Sequence, residues 1–123
     1  MKAEQITKET DKQRTKLFNK YSRKYLRQIK REIRKEKLCG RYKALVHISE
    51  PNIDSKILSS LRQFVKEYLS TNGFYIREYQ FGELYDVAQS EWYSISWGDA
   101  IKFARQADEM QRLVYQNKYG KRE

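Results

Sequence analysis

The sequence predicts an α+β fold in one domain, with element order α-β-α-β-β-α, a three-stranded sheet of the split βαβ kind and a long basic helix at the amino end. Three observations predict it. The chain has 123 residues, room for one domain with one core. Two stretches, 11–39 and 53–71, repeat apolar residues at three- and four-residue steps, the period of an amphipathic helix. Two shorter stretches, 41–49 and 92–97, alternate in steps of two, the period of a strand.

The first helix organises the rest. Met1 to Thr10 is polar, without apolar periodicity, and reads as a frayed terminus; Thr10 or Asp11 is placed to cap the helix. From there Leu17, Phe18, Tyr21, Tyr25, Ile29 and Ile33 define one face, and Lys20, Arg23, Arg27, Arg31 and Arg34 recur at the same steps about half a turn away. Glu32 and Glu36 are the only acids after Asp11 in this segment, so the outer face is nearly all of one sign. Like charges four residues apart destabilise a helix by a few tenths of a kcal/mol per pair, so stability by itself favours mixing in acids. Gly40 then stops the helix, with Lys35 and Lys37 at its negative end.

The body follows. Arg41 to Ser49 reads as a strand with Tyr42, Ala44, Val46 and Ile48 facing the core, ended by Glu50-Pro51-Asn52. Asn52 or Asp54 caps a core helix whose stripe is Ile57, Leu58, Leu61, Phe64, Val65, Tyr68 and Leu69, closed by Asn72-Gly73. Phe74 to Gln80 and Trp92 to Trp97 read as the other two strands, separated by an irregular loop with Gly82, Glu83, Asp86 and Glu91. Tyr93, Ile95 and Trp97 share one strand face; Trp92, Ser94 and Ser96 share the other. Gly98-Asp99 caps the last helix, with Phe103, Ala107, Met110 and Val114 as its expected buried side, and 118–123 is a charged tail. A right-handed crossover through the core helix, with the third strand between the first two, completes the arrangement.

Charge is unevenly spread over the +10 total. Residues 1–43 hold 16 Lys or Arg against 5 Asp or Glu; the remainder is near neutral, with 10 against 11. A basic arm on a neutral body points to nucleic acid or an acidic protein partner. The binding residues expected on this basis are Lys20, Arg23, Lys24, Arg27, Lys30, Arg31 and Arg34. Asn19 and Gln28 are the amides on this part of the helix, so phosphate contacts should dominate over base readout. Membrane binding fits least, because the apolar face carries tyrosines and β-branched residues suited to a core. No run approaches the ~18 apolar residues of a membrane span, Met1 to Thr10 lacks the apolar core of a signal peptide, and Cys39 has no cysteine to pair with. These features suit an intracellular chain.

Catalysis is not expected, and no cofactor is implied. His47, the sole histidine, lies out of phase with Val46 and Ile48 on its strand. Cys39 sits at a helix C-terminus, where the dipole opposes a thiolate, and reads as a packing residue. Glu83, Asp86 and Glu91 lack the spacing of a calcium loop, and no phosphate-binding glycine motif is present. Among the aromatics, Tyr21, Tyr25, Tyr42 and Tyr68 are assigned to the core. Tyr75, Tyr79, Tyr85 and Trp92 are assigned to an exposed surface, suited to a protein interface or to base stacking.

From Leu38 to Trp97 the pattern is Gly40-Arg41-Tyr42, a short strand, an Ile/Leu/Phe helix, Gly73-Phe74, then Tyr93-Ser94-Ile95-Ser96-Trp97. Over this half of the chain it resembles small uncharacterised α/β proteins encoded by phages and mobile elements of low-GC Gram-positive bacteria. The resemblance implies the cytoplasm of a bacterial host and roles found among such proteins: replication accessory, inhibitor of a host nucleic-acid-processing or defence complex (as anti-CRISPR proteins are), or virion subunit. It rests on glycines and aromatics and transfers no functional residue.

Overall fold

A computed structural model describes residues 1–79 and 92–119, apart from the side chains of Tyr79, Lys118 and Tyr119. The elements are α1 (Ala3–Leu38), β1 (Lys43–His47), α2 (Ser55–Thr71), β2 (Tyr75–Tyr79), β3 (Trp92–Ser96) and α3 (Ala100–Tyr119).

Helix α1 begins at Ala3, eight residues before the boundary expected from periodicity. Thr10 is no cap: its hydroxyl donates to the Ile6 carbonyl inside the helix, as Thr7 does to Ala3 and Thr15 to Asp11. Once a helix is nucleated, adding a residue needs no buried face, so the polar stretch extends it while every residue from 3 to 13 stays exposed. At the other end Gly40 takes φ +73. The Gly40 N–H reaches the Lys37 carbonyl and the Arg41 N–H the Glu36 carbonyl, which satisfies two terminal acceptors. Helix α2 starts at Ser55, where the Asp54 carboxylate accepts from the Lys56 N–H at 2.8 Å. It ends on the same motif, with Gly73 at φ +86.

The sheet order is β1-β3-β2, and β3 is antiparallel to both neighbours, which makes β1 and β2 parallel as a split βαβ requires. Val46 lies opposite Tyr93 and Ala44 opposite Ile95, so the apolar positions of β1 and β3 fall on one face. Helices α1 and α2 cover that face. Tyr25 and Ile29 from α1 meet Val46, Ile48, Tyr93 and Ile95 from the sheet and Ile57, Leu61, Val65 and Leu69 from α2. Phe18 packs edge-on against Phe64, with ring centroids 5.6 Å apart. The buried Arg62 guanidinium donates to the Ile48 carbonyl at 2.9 Å, serving an acceptor at the end of β1.

Helix α3 covers part of the opposite face, over β2 and β3. Asp108 is the clasp: its carboxylate accepts from the Tyr75 hydroxyl and from Arg77 Nε at 2.5 Å, while Arg77 Nη2 reaches Gln111 at 2.8 Å. Ser94 and Ser96 are buried as a result, so both faces of β3 are covered.

Two expectations on burial are corrected. Phe103, Met110 and Val114 are exposed, not buried; the half-buried positions of α3 are Ala100, Ile101, Ala104, Ala107 and Asp108. A polar clasp sets the rotation of this helix about its axis, and the apolar stripe is left to one side. Tyr42 is also exposed, because it precedes the strand and its ring lies against Gly98.

Gly98 turns the chain between β3 and α3 at φ +57, and a Cβ there would stand 2.9 Å from Tyr42 Cδ1. Gly98→Ala is expected to cost about 1–2 kcal/mol for the left-handed backbone, plus a displacement of the Tyr42 ring. Gly40→Ala meets nothing within 4 Å and carries the backbone cost alone. Urea midpoints of the two variants should rank in that order.

Candidate nucleic-acid interface

At 100° per residue, with Tyr25 and Ile29 turned to the core, the opposite side of α1 carries Lys12, Lys16, Lys20, Arg23, Arg27, Lys30, Arg31 and Arg34. All eight are exposed. The helix is continuous throughout, so from Lys12 to Arg34 the ridge runs about 33 Å at 1.5 Å per residue. Periodicity started the set at Lys20. Lys16 and Lys12 continue it at four-residue steps inside the expected helix and were legible on that signal.

The acids do not interrupt the ridge. Glu32 and Glu36 are half-buried and line an open groove beside β1, together with Arg41, Lys43, Leu45 and Ala100. Glu36 is held by Arg41 Nη1 at 3.1 Å. Among the described residues no acid lies within ion-pair distance of Arg23, Arg27, Arg31 or Arg34.

The lysines differ from one another. Lys24 is committed to the body: its Nζ is 2.5 Å from Glu50 Oε1, and it lies 5.4 Å from the Tyr25 ring centroid. Lys20 stands over Tyr21 at 5.4 Å and Lys30 over Tyr68 at 5.9 Å, cation–π contacts that hold the stems while leaving the ammonium groups exposed.

Glu50 ties this side of the molecule together, because it also accepts from the Tyr25 hydroxyl at 2.7 Å. Partial burial would raise its pKa, but the hydrogen bonds from Lys24 and Tyr25 outweigh this and hold the carboxyl below its ordinary range. Burial, with Glu50 as hydrogen-bond partner, pushes the Tyr25 phenol well above its usual range. A depressed carboxyl pKa adds stability above the unfolded value, and the gain is lost as pH falls through the folded value. Urea midpoints of the wild type and Glu50→Gln should therefore differ most above about pH 5 and converge towards pH 3. A gap unchanged over that range would assign the effect to packing.

The aromatics assigned to an exposed surface divide. Tyr75 is half-buried, and its hydroxyl belongs to the Asp108 clasp, which corrects its assignment. Trp92 is exposed and stacks on His47, with centroids 4.6 Å apart. The side chain of Tyr79 and the whole of Tyr85 lie outside the described residues, as do Glu83, Asp86 and Glu91. Cys39 is exposed, not packed, because it falls at the helix C-cap. No described helix is long and apolar enough to cross a membrane.

The structure is a small α+β domain with a three-stranded antiparallel sheet and a long basic N-terminal helix. No family model matches the chain, and comparison with curated proteins and with solved structures finds no match.

Proposed function

We propose that the chain is a small non-catalytic accessory protein that binds nucleic acid through phosphate contacts along α1. The observation that carries this reading is the ridge itself: eight exposed cations over about 33 Å of one helix, with its four arginines unpaired by any acid among the described residues. Leaving so many like charges together is unfavourable unless an anion neutralises them. Gln28 is half-buried, and Gln13 and Asn19 are the exposed amides along the ridge, so amide readout of base edges has few donors and phosphate contacts should dominate.

Fluorescence anisotropy with labelled duplex DNA, duplex RNA and single strands, from 50 to 400 mM salt, tests this. About six phosphates neutralised on duplex DNA give a log–log slope near −5 and roughly a 10³-fold loss of affinity between 50 and 200 mM. Absence of binding at 50 mM to any of the probes overturns the reading.

The second reading is a phage-encoded interaction module in which the ridge occupies an acidic groove on a host protein. The forked donors of the four arginines favour it, since they match carboxylates as well as phosphates. A protein that co-purifies after nuclease treatment, and is lost on charge reversal of the ridge, would select it.

A further inference from the structure

The positive charge of α1 is confined to a narrow line. Counting roughly 100° per residue from the core side, Lys12, Arg23 and Lys30 fall along one flank of the ridge, Lys20, Arg27 and Arg31 along the other, and Lys16 and Arg34 along its crest. Together they cover about 100° of the helix circumference, which at a radius of about 6 Å is about 9 Å across. Charge beside the line is compensated. Lys24 is paired with Glu50, and Arg41 with Glu36. Helix α2, packed alongside, turns mainly Lys56, Ser59, Ser60, Gln63, Glu67 and Ser70 to solvent, short or neutral groups with one cation against one acid. Glu9 falls in line with the ridge beyond Lys12 and closes it at the amino end. The ridge also lacks an exposed aromatic group. Tyr25 is buried, and Tyr21 is half-buried beneath Lys20 and Lys24. Among the described residues the exposed aromatics, Tyr42, Trp92, Phe103 and Tyr115, stand outside α1.

We infer that the ridge lies in the major groove of duplex DNA, with its two flanks against the phosphates of the two strands; this rests on the phosphate-binding function proposed above. Three features choose this ligand among nucleic acids. The first is fit. The B-form major groove is about 12 Å wide and about 8.5 Å deep, so a line about 9 Å across leaves each flank within an Arg or Lys side chain's reach of one wall. A single backbone would engage one flank and leave the other in solvent. The second is the missing stacking platform. A single strand is held by aromatic groups on which its bases stack, and the ridge has none in solvent. The third is groove shape. The major groove of duplex RNA is deep and narrow and does not admit a helix about 10–12 Å thick, while its shallow minor groove offers the flanks no walls. The DNA groove winds away from α1, which is one uninterrupted helix. The middle of the ridge, from Lys20 to Arg31, therefore lies deepest, and Lys12 and Arg34 meet the backbones where they cross the rod.

Three duplexes of one sequence and about 16 base pairs, longer than the ridge at about 3.4 Å per pair, test the inference by anisotropy at 0.1 M salt. They are DNA, RNA, and DNA whose cytosines are replaced by glucosylated 5-hydroxymethylcytosine, which keeps the charge and fills the major groove with neutral sugar. A ligand that meets one flank forgoes the three cations of the other, each about 0.9 log units at 0.1 M relative to 1 M salt. The RNA and the glucosylated DNA should therefore bind on the order of 10²-fold more weakly than plain DNA. The single strand is a weaker probe, because counter-ion release by about six phosphates already favours duplex DNA roughly 15-fold under these conditions. Dimethyl sulfate gives an independent readout: saturating protein should protect guanine N7, in the major groove, and leave adenine N3, in the minor groove, reactive. A loss below about tenfold for RNA or for glucosylated DNA overturns the inference, and so does unprotected guanine N7. Either result leaves the phosphate-binding reading intact, with the ridge on the outside of a backbone. Absence of binding to every probe at 50 mM salt overturns both.

Discussion

Charge reversal of Arg27 and Arg31 together is expected to weaken duplex binding about 100-fold at 0.1 M salt, since each phosphate contact contributes about 0.9 log units relative to 1 M salt and two are lost. The salt slope should shrink in magnitude by about 2. Both side chains are exposed and no described acid pairs with them, so circular dichroism should match the wild type, and the urea midpoint should hold or rise slightly as like-charge pairs are removed. Lys24→Ala supplies the contrast. The ammonium of Lys24 is held by Glu50 at 2.5 Å, so its removal should change the slope by less than removal of Arg27 and should lower stability instead. Binding unaffected by the double reversal would remove α1 from the interface, whatever the rest of the chain does. Equal effects of Lys24→Ala and Arg27→Ala would show that net charge, not the unpaired ridge, sets affinity.

Ile95→Ala should produce the largest loss of stability, about 2–5 kcal/mol out of a total near 5–15 kcal/mol. Ile95 is fully buried in the central strand, between Ala44 on β1 and Ile76 on β2, and belongs to the cluster that α1 and α2 close. Truncation leaves a cavity on the face where both helices dock, and neither can settle into it without leaving the sheet. Ile6→Ala, on the exposed first turns of α1, should stay within about 0.5 kcal/mol. Urea unfolding with a constant m-value checks both. A loss below about 1 kcal/mol for Ile95→Ala would mean that the core is looser than the burial of this residue indicates.

Much of the fold was legible because its signals are local. Gly40 and Gly73 follow their helices at the position where a left-handed residue closes the last turn, and both are left-handed there. The apolar stripe of α2 was read in full, since its buried and partly buried hydrophobic residues are the set that the three- and four-residue steps pick out; buried Arg62 lies outside that pattern. The order with β3 in the middle followed from connection rules. The cations of α1 were legible for the same reason: a helix whose inner face is known has only one outer face.

What stayed hidden depended on partners far away in sequence. Lys24 and Arg27 look alike in the chain, yet only Lys24 lies near Glu50, 26 residues on. Phe103, Met110 and Val114 have the spacing of a buried face and are in solvent, because Asp108 fastens to Tyr75 and Arg77 more than 30 residues earlier and fixes which way the helix turns. Tyr75 was drawn beneath α3 by the same contact.

The amino-acid order by itself determined which segments coil, which extend, where the chain turns and that its positive charge is gathered on one rod, because these depend on neighbours within a few residues. Tertiary structure alone decided which cations remain unpaired and which apolar stripe remains uncovered. Both depend on long-range pairing, where one carboxylate in the right place outweighs the pattern of a whole helix face.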